Sequence, residues 1–265
     1  MYLLFYKYHN FGNDFIIIDN RNYKNILLTK EYIKKLCNRI YGIGSNGIIF
    51  IKKHYKYNLE MIYYNSDGNL GPMCGNGGLC TVHFAKAKKI IKYEINFKTF
   101  DGIHKGYVND KNIKLKMSDV SYNNIKIINQ NHIINTGSMH YVEYMNYLNI
   151  ENVYKRSFYL KNTIFKKKMV NMNFYNTKNN IYNIITYECG VEDITYSCGT
   201  GCIATALSIN LKSKNFSKKQ ISYNMINKGG NMIVNFRLKN TNNIAYDEIY
   251  ITGNPILVYK GKIKI

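Results

Sequence analysis

Met73-Cys74-Gly75-Asn76-Gly77-Gly78 and Ser197-Cys198-Gly199-Thr200-Gly201-Cys202 decide how this chain is read. Each run sets a cysteine directly before a Gly-x-Gly turn. Each leads into a stretch of helical character, Leu79 to Ala87 and Ile203 to Leu211. One such run is weak evidence of anything. Two, one per half of the chain, point to a pair of thiols facing each other across a single site.

The surrounding pattern repeats around the two runs. In the first half, strands are expected at Leu3–His9, Phe15–Asp19, Ile48–Lys52, Leu59–Tyr64, Glu94–Thr99, His104–Val108 and Ile113–Met117. Thr29–Ile40 reads as a helix with Thr29 as N-cap. In the second half, strands are expected at Tyr141–Tyr144, Val170–Phe174, Ile181–Tyr187, Ile221–Met225, Met232–Leu238, Glu248–Ile251 and Ile256–Tyr259. The polar, Asn-rich stretch Asp119–Asn131 marks the boundary. The expectation is an α/β (α+β) protein of two similar domains, residues 1–120 carrying Cys74 and residues 121–265 carrying Cys198. Each domain would hold one central helix entered from a cysteine turn. No 20- to 50-residue period appears, which excludes a solenoid.

Composition narrows the function classes. The chain has 265 residues, 46% of them hydrophobic, enough for a real core. No apolar run approaches membrane-span length, so no membrane partner is expected. Met1–His9 alternates like a strand and lacks a signal peptide's apolar region, so a cytoplasmic location is expected. The net charge of +21 raises the reading of a nucleic-acid binder. Its lysines are scattered, however, the longest basic run being Lys166-Lys167-Lys168. Lys, Asn, Ile and Tyr are enriched together, which favours compositional drift and no nucleic-acid partner. None of the six cysteines forms a C-x-x-C pair, so no metal site is expected. Cys37, Cys80 and Cys202 read as buried hydrophobes.

The two cysteine turns suit one kind of chemistry. The α-hydrogen of an amino acid is a very weak acid, and without an electron sink its removal needs strong bases, a dry site and a held carboxylate. A helix start offers unpaired N–H groups that bind a carboxylate. The same positive end lowers a thiol pKa from about 8.5 toward neutrality. Glycines let backbone approach where a Cβ would clash. Two such thiols, one charged and one protonated, can remove a proton from one face of a carbon and return one to the other. His140 and Glu188 are candidates to tune them, an imidazole near one sulfur and a carboxylate near the other.

Seven motifs in order resemble the diaminopimelate epimerase family over nearly the whole chain. They are Lys7–Phe15, Tyr41–Gly47, Tyr64–Gly68 with Met73–Gly77, Asn135–Val142, Asn171–Phe174, Tyr187–Gly201 and Gly253–Gly261. The resemblance implies two domains, each a curved, mostly antiparallel sheet around a central helix, with the site in the cleft. It implies cofactor-independent interconversion of LL- and meso-2,6-diaminopimelate, in lysine biosynthesis, with Cys74 and Cys198 as acid/base thiols. It assigns the reacting carboxylate to Gly75, Asn76, Gly199 and Thr200. Glu188 and the backbone of Cys189 would meet the ammonium groups, and Asn13, Asn65 and Asn171 the rest of the substrate. A homodimer is a further implication. Facing sulfurs need little movement to bond, so oxidative inactivation through a Cys74–Cys198 disulfide is also expected.

Four positions depart from the family pattern. Cys189 stands where the family has an arginine that pairs with the distal carboxylate. Met139 replaces a proline, Asn46 an aspartate and Leu79 an arginine. The change at Cys189 keeps a second reading open, a cofactor-independent racemase of another amino acid such as histidine.

Overall fold

Runs of β-branched and aromatic residues dominate the chain, and most of it is sheet. The computed structural model describes residues 2–22, 28–109, 112–166, 168–179, 181–213, 220–239 and 245–264. Lys167, the middle of the longest basic run, lies outside them. The chain divides into two units, Met1–Leu115 with Thr252–Ile265, and Lys116–Ile251.

In the first unit, the strand Tyr2–Asn10 pairs antiparallel with Asn13–Asp19, which pairs parallel with Gly47–Lys52. The order continues antiparallel to Leu59–Asn65, parallel to Glu94–Thr99 and antiparallel to Gly102–Asn109. A parallel pair needs a crossover. Helix α1, Lys30–Cys37, makes the first and helix α2, Gly75–Ala87, the second.

Helix α1 starts where the sequence places it, with the Thr29 side chain accepting the Tyr32 N–H at 3.2 Å. It buries Ile33, Leu36 and Cys37 at amphipathic spacing. It stops three residues short of the expected Ile40. Asn38 is extended there, and its side-chain oxygen accepts the N–H groups of Ile40 and Tyr41, both at 2.8 Å. That local bond competes with the helix ladder.

The second unit repeats the pairing plan. Asn131–Asn135 pairs antiparallel with Met139–Tyr144, which pairs parallel with Asn171–Lys178. Ile181–Glu188 follows antiparallel, Gln220–Asn227 parallel and Gly230–Lys239 antiparallel. Helix α3, Ile150–Thr163, and helix α4, Gly199–Ser213, make its two crossovers. Among the described residues each unit therefore carries two α-helices; both were expected in the first unit, and α3 is the addition in the second. α3 is the counterpart of α1. Its Asn149 cap accepts the Asn152 N–H at 2.8 Å, and it buries Val153, Ser157 and Leu160. Exposed Tyr154, Phe158 and Tyr159 blur that stripe in the sequence.

The division differs from domains of 1–120 and 121–265 in one important respect. The last strand, Ile256–Lys264, pairs antiparallel with Tyr2–Asn10, from Tyr2↔Lys264 to His9↔Ile256. Thr252–Ile265 therefore falls in the first unit. Hydrogen bonds between strands far apart in the chain overrule sequence proximity.

Helices α2 and α4 are the centres. Nearly every residue of α2 from Gly75 to Ala85 is buried, and so is α4 from Gly201 to Asn210. A helix apolar on all sides is one surrounded by other elements. Polar residues within them find local partners. Thr205 Oγ1 donates to the Gly201 carbonyl at 2.8 Å, and Ser208 Oγ lies 2.7 Å from His132 Nδ1.

Candidate active site

Both cysteine runs are helix starts, and the helices begin earlier than the sequence suggested. Gly75-Asn76-Gly77 and Gly199-Thr200-Gly201 are first helical turns and not loops ahead of one. Cys74 is the N-cap of α2, and its carbonyl accepts the Gly78 N–H at 2.7 Å. The Cys198 carbonyl accepts the Cys202 N–H at 2.9 Å in the same way. In each turn the leading amides have no carbonyl within their own helix, the geometry of an anion cradle.

The glycines after each cysteine have separate reasons. A Cβ on Gly77 would meet Ile49 Cδ1 at 3.2 Å and Met61 Cε at 3.4 Å. A Cβ on Gly201 would meet Asn173 Oδ1 at 2.3 Å. The first is a close helix–sheet packing. The second is a polar side chain occupying the space.

Around Cys74, the first unit builds a chain of amides. Asn10 Nδ2 donates to Asn76 Oδ1 at 2.8 Å, and Asn76 Nδ2 donates to Asn13 Oδ1 at 3.3 Å. The same oxygen lies 3.6 Å from Cys74 Sγ and accepts its S–H. Nearby, Asp14 bonds Lys7 and Arg39, which hold its carboxyl below its usual range against the opposing effect of burial. Asn46 Oδ1 accepts the Asp14 N–H at 3.1 Å, tying the Gly-rich loop to this strand. Asn65 closes its own turn, its N–H donating to the Asn69 carbonyl at 2.9 Å.

Around Cys198, the second unit is denser. Cys198 is buried, and Thr200 Oγ1 lies 3.5 Å from its sulfur. Burial pushes the thiol well above its ordinary value, and the Glu188 carboxylate adds to that rise. The Thr200 hydroxyl and the Gly201 amide pull the other way. Burial also raises Glu188. His140 is fully buried, and desolvation holds it down to about 3, so its ring is neutral. Its Nε2 lies 2.9 Å from Ser138 Oγ and 3.0 Å from Thr200 Oγ1.

His140 thus reaches the Cys198 sulfur through Thr200. Both tuning candidates, His140 and Glu188, belong to the second unit together with Cys198. Asn171 Oδ1 accepts the Cys189 N–H at 3.0 Å, which joins three of the expected residues, Asn171, Glu188 and Cys189, in one corner. The Cys189 sulfur itself lies 3.4 Å from Met169 Sδ and 3.7 Å from Glu192 Oε1, and burial raises its thiol.

Asn10, Thr136, Asn173 and Thr186 were missed from the sequence. Asn173 had a signal, since it lies two residues from Asn171 and therefore shares its face of the strand. Among the described residues, no group of three His, Cys, Asp or Glu side chains is arranged to hold a metal ion. Among them also, no helix is long and apolar enough to cross a membrane.

Solved structures share this fold. A phenazine biosynthesis protein of the PhzF family from Bacillus anthracis superposes with a TM-score of 0.73, at 14% identity and full coverage of both chains. A hydroxyproline epimerase from Agrobacterium vitis gives 0.72 at 12% identity, over 99% of this chain and 92% of its own. The fold is therefore one that these two structures share with this chain, two α/β units each with a buried central helix.

Sequence likeness is narrower. The family profile described as diaminopimelate epimerase matches residues 5–123. Diaminopimelate epimerase of Flavobacterium psychrophilum is 38% identical over 262 residues, covering 97% of this chain and 99% of its own. That of a Hydrogenobaculum species is 34% identical, covering 98% of each. The chain belongs to the diaminopimelate epimerase family, and is an isomerase.

Proposed function

We propose that this chain interconverts LL- and meso-2,6-diaminopimelate in lysine biosynthesis, with Cys74 and Cys198 exchanging one α-proton. The observation that carries this reading is the pairing of two cysteines at equivalent places. Each caps the buried central helix of a unit, and the two units repeat one strand plan.

In one direction, a thiolate takes the α-proton and becomes a thiol, while the other thiol gives its proton to the opposite face and becomes a thiolate. Charge is conserved, and the roles are exchanged after each turnover. The first-turn amides of Gly75 and Asn76, and of Gly199 and Thr200, hold the reacting carboxylate. Concentrated there, the negative charge of the carbanion meets oriented N–H dipoles instead of water. Asn13, Asn65 and Asn171 hold the remainder of the substrate.

Cys198 needs help to ionise, since burial and Glu188 both oppose its thiolate. A substrate ammonium bound at Glu188 and the Cys189 backbone neutralises one of those two effects. Substrate binding then activates the base that uses it. A cytoplasmic location and a homodimer belong to the same proposal and rest on the family likeness.

The test is α-proton exchange in D2O. With LL-diaminopimelate, the wild-type chain is expected to deposit deuterium at the α-carbon, and Cys74→Ala or Cys198→Ala to lose net inversion. Full inversion by either variant would overturn the two-thiol reading. The side chain of Cys189 supplies no positive charge for a distal carboxylate, which keeps a monocarboxylate substrate as the second reading. Rapid exchange of a monocarboxylic amino acid, with none of diaminopimelate, would establish that alternative.

A further inference from the structure

Asn173 plays no part in the steps above, yet it is fully buried and bonded on every side. Its Oδ1 accepts the Thr186 hydroxyl at 2.9 Å and fills the space a Cβ would need at Gly201. Its Nδ2 lies 2.9 Å from the Tyr141 carbonyl and 3.1 Å from His140 Nδ1. A carbonyl only accepts, so the amide end facing Tyr141 must be the NH2. Its second hydrogen then points at His140 Nδ1, which must accept it. The ring is neutral, so its one hydrogen sits on Nε2.

We propose that Asn173 is a positioning residue that holds His140 as the Nε2–H tautomer, so that Thr200 turns its hydroxyl hydrogen toward the Cys198 sulfur. The order follows from donors and acceptors. His140 Nε2–H lies between two hydroxyl oxygens, Ser138 Oγ at 2.9 Å and Thr200 Oγ1 at 3.0 Å, and is shared by both. Thr200 Oγ1, accepting there, keeps its own hydrogen free for Cys198 Sγ at 3.5 Å. The Thr136 hydroxyl donates to the Thr200 carbonyl at 3.0 Å and steadies the residue from behind. In the opposite tautomer Nε2 would be an acceptor, drawing a hydroxyl hydrogen to itself and away from the sulfur. A hydroxyl donor stabilises the thiolate over the thiol, so the relay favours the form of Cys198 that removes a proton. This inference rests on the two-thiol reading above.

The experiment is a double-mutant cycle on the full chain, with NMR of 15N-histidine-labelled protein beside it. Asn173→Asp keeps the shape but offers only acceptors to Nδ1, which forces the other tautomer. Losing a hydrogen bond to a charged sulfur is expected to lower kcat about ten- to a hundredfold, with KM little changed. Thr200→Val should lose a similar factor, and Thr200→Ser, which keeps the hydroxyl, much less. In a Thr200→Val background, Asn173→Asp should then cost almost nothing more, because the two act in series. Multiplying losses would overturn the relay and leave Asn173 a structural residue.

In the wild type, the His140 signal, assigned by its loss in His140→Gln, should show bare Nδ1 and protonated Nε2. That pattern should hold from pH about 5.5 to about 8.5, around an ordinary histidine's value of about 6.5. A protonated Nδ1, or titration near the ordinary value, would overturn the tautomer assignment even if Asn173→Asp fails to fold. If wild-type protein exchanges no diaminopimelate, the functional reading fails while the NMR result still decides the tautomer. If it does exchange and the losses multiply, the relay alone fails.

Discussion

The same substitution at equivalent places in the two helix starts should have unequal effects. At Gly77→Ala, the new methyl meets the tips of Ile49 and Met61 at 3.2 Å and 3.4 Å. Those are flexible apolar ends that yield by a few tenths of an ångström. A Gly→Ala change within a helix gains up to about 1 kcal/mol, so the net effect should lie within roughly 1 kcal/mol of zero.

At Gly201→Ala, the methyl falls 2.3 Å from Asn173 Oδ1. An ordinary C···O approach is roughly 3.3 Å, so the oxygen must retreat by about 1 Å. Thr186, Tyr141 and His140 all hold that side chain. Overpacking costs about 1–3 kcal/mol, and one or two hydrogen bonds lost cost about 1 kcal/mol each. Set against the helix gain, the expected loss is about 1–4 kcal/mol. Urea unfolding followed by far-UV circular dichroism measures it, with both variants scanned beside the wild type. Gly201→Ala should also lower kcat, since Asn173 carries His140 with it. Equal stability of the two variants would refute the assignment of Asn173 as a fixed wall behind Gly201.

Two further outcomes follow from the site. Cys189→Arg places a cation beside Glu192 and Asn171, and should lower KM for diaminopimelate about tenfold through a charge-assisted bond, as read in steady-state kinetics; an unchanged KM would show that the distal carboxylate lies elsewhere. Burial holds both His132 and His140 below their unfolded value of about 6.5, down to about 4 and about 3. Between about pH 6.5 and about 4 the unfolded chain binds more protons than the folded one, so stability is full above that window and falls as the pH drops through it. The urea midpoint should decline across this range, and His132→Asn should flatten the decline; a flat wild-type midpoint would contradict the burial of neutral rings.

How much the sequence disclosed depended on the range of the interaction concerned. The cysteine runs were readable because a helix N-cap is local chemistry, written in neighbouring residues. Their glycines were read as turns because glycine disfavours helix, whereas packing against Ile49 and Asn173 decides the matter. Helix α3 was hidden by three exposed aromatics, although Asn149, Glu151 with Lys155, and the Val153–Ser157–Leu160 spacing all mark it. The return of Ile256–Lys264 to Tyr2–Asn10 had no local signal, because strand pairing between distant segments is set by the whole sheet. The place of Cys74 and Cys198 at the starts of the two central helices was legible, because it is written in the glycines beside them. The place of Asn173 and Thr186 was not, since the contacts of a buried polar residue in an apolar strand show only in the folded chain.

The two-base claim is tested most directly by timing. LL-diaminopimelate is converted in D2O, and the first few per cent of product and the unreacted substrate are analysed by mass spectrometry. Donor and acceptor thiols on opposite faces predict α-deuterium in the new meso isomer while the remaining LL isomer stays protonated. Equal early labelling of both isomers would mean that a single base serves both faces, and would contradict the account.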